Sequence, residues 1–489
     1  MPERFGFTAP PHPEAAEWMG PLIGLSNTLT RSHSLSRSAD RDLDARPGGY
    51  ERMRDACRRA MEGPELFIHD VVIFGVRLRL STNSFHLADF WRENFFSPLD
   101  WLERTGRRAP EQPEIQAFAF TGLADEPEAA AYSRRHRTIF IFGNSYYGQL
   151  KSWALGAVGL RLAAEGIHPV RAAAVQRGGS GLLLIGPAGT EKSTAAYAIM
   201  ELGPARLHSD DYCFLRYGYR RPSGQVVCPR ESAAHRRLLS GAPGDGKIRV
   251  ESLDGERFEI AAGDLEPETL AAFAFPSEKK YYRRTSFVEN FPGHLGALLR
   301  AKTENVPAVT PETLQREGPA LDRLAADANR PLGREKLRET LLRLVVSDYG
   351  RALLDPADLF GADRVFRNPL EPMRLDAAVL LRQNLSDDLL VESLEPSRFL
   401  ERVVRGETPD GRRETGYNSY RFPGAESEEE ELFSLLARAA RTCELNLILT
   451  KNLSRREAAL ACGRLLIRLL ERPMSEPRLW IRDFERTVS

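Results

Sequence analysis

The chain has 489 residues, 42% of them hydrophobic, enough for two or three domains with at least one large core. Its 68 lysines and arginines balance 68 aspartates and glutamates, so no global charge gathers nucleic acid or an acidic membrane, and neither partner is expected. The five scattered cysteines lack metal-ligand spacing, which argues against a zinc site and fits reduced thiols; with no signal-like start and no apolar run of spanning length, the expected location is cytoplasmic.

Residues 28–49, including RSHSLSRSADRDLDARPGG, are polar and serine-rich and read as a flexible segment, either a solvated linker or a basic contact arm. Tyr50 to Glu62 reads as a short charged helix. Folded structure is expected from near Leu66. Phe67 to Leu80, rich in valine, isoleucine and phenylalanine around Gly75, predicts paired strands. His86 to Phe95 predicts a helix whose aromatic face, Phe90, Trp91 and Phe95, belongs to the core. Ile115 to Phe120 and Thr138 to Phe142 read as strands separated by a charged insertion. The expected division is a partly flexible N-terminal segment over 1–64, an α+β lobe over 65–142, a nucleotide-binding domain over 143–385 and a mostly helical C-terminal region over 386–489.

The stretch GNSYYGQLKSW, Gly143 to Trp153, leads into a long amphipathic helix. Tyr146, Tyr147 and Lys151 ahead of a helix can present a ring and an ammonium to an anionic substrate. The same residues also fit a plain helix start with a snorkelling lysine. Further along, GLLLIGPAGTEKSTAAYAIM, Gly181 to Met200, runs from a buried strand, Leu182 to Ile185, through a glycine-bearing loop into an alanine-rich helix. Gly186, Gly189, Thr190, Lys192, Ser193 and Thr194 are the expected nucleotide-phosphate site. Backbone N–H groups and a helix N-terminus attract phosphate, the lysine neutralises the outer phosphates, and the hydroxyl after it holds magnesium. The competing reading is an ordinary turn between strand and helix.

The usual spacing has a glycine where this chain has Glu191. A carboxylate about 5 Å from a phosphate oxygen, at an effective dielectric of about 20, repels it by roughly 3 kcal/mol. A working loop therefore requires Glu191 to point outward or to pair with a cation. Asp210 and Asp211 follow Leu207-His208-Ser209 at an expected strand end, where carboxylates can reach a metal held by Ser193.

Gly218 to Gly263 reads as turns and short strands. Lys279 to Gly293 concentrates cations, Arg284 among them, with two tyrosines, and reads either as an anionic-substrate segment or as a solvated basic loop. Helices are expected over Pro311 to Asp348 and a strong strand over Ala377 to Leu381. After Ser386 the composition is acidic and helical, with Glu428 to Glu431 opening a helix. Cys443 to Thr450 reads as a strand, and Leu453 to Glu471 as a final amphipathic helix capped by Ser454. The expected fold class is α/β, a mixed sheet flanked by helices.

The series GNSYYGQLKS, HPVRAAAV, LLLIGPAGTEKST and LHSDD resembles the core of the phosphoenolpyruvate carboxykinase and HPr kinase superfamily in order and in spacing. The resemblance implies a carboxykinase-like P-loop core with a smaller N-terminal α+β lobe. It covers Leu66 to Leu381 in outline and is specific between Gly143 and Asp211. Tyr146 and Lys151 match the family's substrate-loop tyrosine and first lysine, Lys192 and Ser193 its phosphate and magnesium groups, and Asp210 and Asp211 its metal-binding aspartates. In the HPr kinase branch one such aspartate is the general base toward a serine hydroxyl. RAKTENV, Arg300 to Val306, and SDYGRALLDP, Ser347 to Pro356, are similar to later segments, the second making Arg351 a candidate for contact with the transferring phosphoryl group.

Two departures bear on function. The family's second lysine and its histidine, both transition-metal ligands, stand here as Ser152 and Arg171. Serine is a poor ligand and arginine does not deprotonate to bind metal, so carboxykinase decarboxylation is not expected. The resemblance implies ATP, or another phosphate donor, with Mg2+, and transfer to a hydroxyl of a small molecule or protein. In that reading Ser193 and Asp210 organise magnesium, Asp211 activates the acceptor, and Arg171 or Arg351 stabilises transferred charge. A nucleotide-binding regulatory protein without turnover is the alternative, followed by a carboxykinase-like lyase.

Overall fold

The computed structural model describes residues 27–29, 38–63, 65–123, 125–187, 189–240, 246–305, 350–384, 386–405, 426–447, 453–472 and 476–482. The expected helices of Pro311 to Asp348 lie outside the described residues, as do Ala188 of the loop after Ile185 and Ser347 to Tyr349. The architecture is α/β, with mixed sheets flanked by helices. Two compact units form, each discontinuous in sequence. One holds the described residues up to Ala157 and those within 278–362, and the other holds the described residues of 158–277 and from Asp363 onward.

In the first unit a six-stranded sheet has the order Ser38–Asp40, Ala129–Ser133, Thr138–Phe142, Ile115–Phe120, Val76–Thr82 and Phe67–Ile73. The last two form the expected hairpin. Its two-residue turn, Phe74-Gly75, has positive φ at both positions, 45° and 81°, the twist that matches paired strands. Phe90, Trp91 and Phe95 are buried as expected.

Two expectations for this unit are corrected. The charged insertion after Phe120 contains a strand, Ala129–Ser133, which pairs with Thr138–Phe142. The polar stretch is also not free throughout, because Ser38–Asp40 pairs with that new strand and Leu43 is buried against Met53, Cys57 and Phe140. The next residue, Asp44, is held as well, by Ser133 Oγ at 2.5 Å and the Arg135 N–H at 2.8 Å. A four-stranded sheet completes the unit, in the order Asn27–Leu29, Lys302–Asn305, Arg351–Leu354 and Tyr281–Arg284.

The second unit is built on a thirteen-stranded mixed sheet. At its centre Ser180–Ile185 lies antiparallel to Ala172–Arg177 and parallel to Met373–Arg382. Arg206–Ser209 flanks the group beyond Ala172–Arg177. Being central, Ser180–Ile185 is covered on both faces and reads as a continuous apolar run. Leu183 and Ile185 share a core with Phe399, Val403, Leu432 and Phe433 of the helices Pro396–Arg405 and Glu426–Ala439. Alternation turns Leu182 and Leu184 the other way, where the helices Lys192–Glu201 and Arg455–Glu471 pack on the strand. Those two helices touch at Gly463, whose missing side chain matters. A Cβ there would lie 3.0 Å from the Ala198 side chain.

The C-terminal region carries its helices and also adds strands to this sheet. Arg441–Asn446 pairs parallel with Met373–Arg382, and Leu389–Ser393 and Arg478–Trp480 follow outward. Ser454 caps the last helix through a reciprocal capping box with Glu457. The turn-rich span after Gly218 holds short strands as expected, together with one helix, Ser232–Leu239, that its polar composition conceals.

Candidate functional site

The loop that follows Ser180–Ile185 is shaped by close backbone approach. At Gly186 a Cβ would stand 2.6 Å from Thr190 Oγ1 and 2.9 Å from the Leu381 carbonyl oxygen, so only glycine fits. Thr190 is buried and donates its hydroxyl to the Pro187 carbonyl at 2.8 Å, closing the loop on itself. Gly189 turns with φ +83° into open space. Glu191 then adopts φ 55°, ψ 26° at the position before the helix. That left-handed conformation costs a non-glycine residue about 1–2 kcal/mol. Glu191 thus holds a backbone conformation that glycine adopts without that cost. Its carboxylate accepts from Thr194 Oγ1 at 2.6 Å, on the first turn of the helix.

Lys192 opens the helix Lys192–Glu201 and is buried. Its Nζ folds back to donate to the carbonyls of Gly186 at 2.7 Å and Pro187 at 2.8 Å, so the ammonium lies at the mouth of the loop. Ser193 Oγ donates to the Asp210 carbonyl at 3.1 Å, and as the donor in that bond its oxygen keeps lone pairs for a cation. Asp210 lies just past the strand Arg206–Ser209, with its carboxylate buried and accepting from Tyr197 Oη at 3.1 Å. Asp211 is more exposed and forms an ion pair of 3.8 Å with Arg171, between the strands Ile167–Val170 and Ala172–Arg177. Beyond the helix, Arg364 caps it by donating to the carbonyls of Met200, Gly203 and Ala205. Gly186, Gly189, Thr190, Lys192, Ser193, Thr194, Asp210, Asp211 and Arg171 therefore fall in one unit, around one strand end.

A magnesium–nucleotide fits this donor set by two observations. The loop contains left-handed backbone at Gly189 and Glu191 ahead of a ten-residue helix, the geometry that turns N–H groups toward an anion. Oxygen donors from Ser193 and the aspartates suit a hard divalent cation. Among the described residues no three or more His, Cys, Asp or Glu side chains gather into a metal site. The Ser152 hydroxyl donates to the Gly148 carbonyl at 2.8 Å within its own helix.

Tyr146, Lys151, Arg284 and Arg351 belong to the other unit. Tyr146 packs over Gly148, where a Cβ would stand 2.5 Å from its Cζ, and its N–H is held by Asn144 Oδ1 at 2.8 Å. Burial raises its phenol above the ordinary range, and the Arg351 guanidinium beside it pulls the other way. Lys151 is buried, 3.0 Å from the equally buried Glu278 and above the Tyr282 ring at 5.8 Å. Arg284 is exposed and lies opposite Arg351 in the strand register. In the basic stretch beside it, Lys279 pairs with Asp100 at 3.0 Å and Lys280 with Glu93 at 2.5 Å, so two of its cations are neutralised within the unit.

Sequence reasoning missed the carboxylates that organise these side chains. Glu304 accepts from His86 Nε2 at 2.7 Å, from the Tyr147 N–H at 2.9 Å and from the Tyr282 hydroxyl. Glu278 accepts from Asn94 Nδ2 at 2.9 Å, and Asn94 in turn accepts from Tyr147 Oη at 2.7 Å. Glu304 lies in the segment RAKTENV, but its bonds to His86 and Tyr147, 218 and 157 positions away, carry no local signal.

Among the described residues no helix is long and apolar enough to cross a membrane. No family model matches the chain and no curated protein matches it, so its functional reading stands on the order of its motifs and on this strand, loop and helix.

Proposed function

We propose that the protein is an ATP-dependent phosphotransferase of the carboxykinase and HPr kinase type, acting on a hydroxyl of a protein or small molecule. The observation that supports it most is the junction of Ser180–Ile185 with Lys192–Glu201, where Lys192 sits over the loop carbonyls and Ser193 is tied to Asp210. In this reading the loop N–H groups and Lys192 bind and orient the outer phosphates. Ser193 and Asp210 hold magnesium, which when bound neutralises charge on the transferring group. Asp211 lies at the exposed side of the pair and takes the acceptor proton. Arg171, 3.8 Å from it, holds that carboxylate in place and supplies the fixed positive charge.

A second reading, a nucleotide-binding regulatory protein without turnover, draws support from Glu191, which retains a left-handed backbone and a negative charge in the loop. The two readings part on one substitution. Glu191→Gly relieves about 1 kcal/mol of backbone strain and removes the carboxylate that Thr194 holds aside. Because that carboxylate is turned to Thr194, the kinase reading expects magnesium–ATP affinity to rise less than about tenfold, with wild-type turnover present in a phosphate-release assay. A regulatory binder would be inactive as the wild type and gain about one or two orders of magnitude in affinity. Calorimetric titration of both proteins reads the difference.

A further inference from the structure

We infer that Tyr197 is a positioning residue for Asp210, and that it assigns the two adjacent aspartates to different tasks. The inference rests on the nucleotide reading above and deepens it. Ser193 and Tyr197 are four residues apart on the helix Lys192–Glu201 and so project from one face. Both reach the same residue. Ser193 Oγ bonds the Asp210 main-chain carbonyl at 3.1 Å, and Tyr197 Oη bonds its carboxylate Oδ2 at 3.1 Å.

Tyr197 and Asp210 are each 0% exposed. A buried carboxylate must be met by donors, and a phenol fixed by a packed helix sets the plane of the carboxylate as well as satisfying one oxygen. One helix face therefore holds the hydroxyl of Ser193 and the carboxylate of Asp210 in a constant relation, which is what two oxygen ligands of one small cation need. Asp211 is the more open of the two. Its side chain is 37% exposed and is paired with Arg171, which suits it to a mobile acceptor. Asp210 is thus the metal carboxylate and Asp211 the acceptor-facing one.

The test is calorimetric titration of ATP into wild type and Tyr197→Phe, each with Mg2+ and with EDTA, circular dichroism confirming the fold. The wild type is expected to bind more tightly with Mg2+ than with EDTA. In Tyr197→Phe that magnesium-dependent gain is expected to shrink by about tenfold while affinity in EDTA stays unchanged, as for loss of one hydrogen bond to a charged group. If Tyr197→Phe melts below the assay temperature, Tyr197→Met fills much of the same space without a hydroxyl and gives the same comparison. A variant that keeps the whole gain, or that loses affinity equally with Mg2+ and EDTA, overturns the role of Tyr197 and leaves the nucleotide site standing. A wild type that takes up ATP in neither condition overturns the nucleotide reading, and the inference with it.

Discussion

Between pH 7 and pH 4.5 the unit that holds Val158–Ser277 is expected to lose several kcal/mol of stability, about 2–3 kcal/mol from each of three buried histidines. Burial holds His168 at a pKa of about 4, and His208 and His235 at about 3. An unfolded histidine titrates near 6.5. The folded pKa values are depressed, so below about pH 6.5 the unfolded chain takes up protons that the folded unit refuses, and stability falls until the pH reaches the folded values. At His208 main-chain hydrogen bonds with Glu371 and Ala274 oppose the effect while Arg206 reinforces it, and at His235 both His168 and Arg236 reinforce it. Glu444, raised by its burial, works in the opposite sense. Glu165, kept low by Arg161 and Arg230 against its own burial, adds to the loss only within the ordinary carboxylate range. A loss of this size is comparable to the whole stability of a domain. Urea unfolding of wild type and His168→Phe at pH 7.5 and 4.5 checks it. The difference between the two pH values should be smaller by about 2–3 kcal/mol in the variant, and an unchanged difference would remove His168 from the account.

The other large effect lies in the first unit. Lys151→Ala is expected to destabilise that unit by about 3–5 kcal/mol, because it leaves the Glu278 carboxylate buried with its cation gone. Asn94 remains as one donor, at 2.9 Å, and a single amide does not neutralise a carboxylate. The double variant Lys151→Met with Glu278→Gln should recover most of the loss, since a neutral pair of similar volume carries no stranded charge. Denaturant unfolding of the two proteins separates the cases. A Lys151→Ala protein as stable as wild type would mean that the ammonium serves a ligand and not Glu278.

The strand, loop and helix from Gly181 to Met200 were legible because their signal is local. Leu182 to Ile185, the glycines, and Lys192 onward are contiguous, and their order alone implies strand, turn and helix. Even Glu191, which breaks the spacing, sits in the loop with a glycine's backbone conformation and its charge turned to Thr194. The longest strand, Glu266–Pro276, escaped notice because its first half, EPETL, is polar and only half-buried and therefore lacks alternation. Ser38–Asp40 was hidden in a segment whose composition predicts disorder, and its pairing with Ala129–Ser133 and the contacts of Leu43 and Asp44 tie it down. The buried network of His86, Asn94, Glu278 and Glu304 had no local signature, since each residue alone reads as an ordinary surface or helix polar group.

We propose that Lys192 and its loop bind the phosphates of a nucleotide. Calorimetric titration of magnesium–ATP into wild type and Lys192→Ala tests it most directly. Lys192 Nζ is the one loop side chain whose charge faces the Gly186 and Pro187 carbonyls, so its removal takes away a charge-assisted contact to the outer phosphates. The account predicts saturable binding by the wild type and an affinity about 10–100-fold weaker in Lys192→Ala, with the two proteins giving the same circular dichroism spectrum. Equal affinity in the two proteins, or no binding by the wild type, would contradict it.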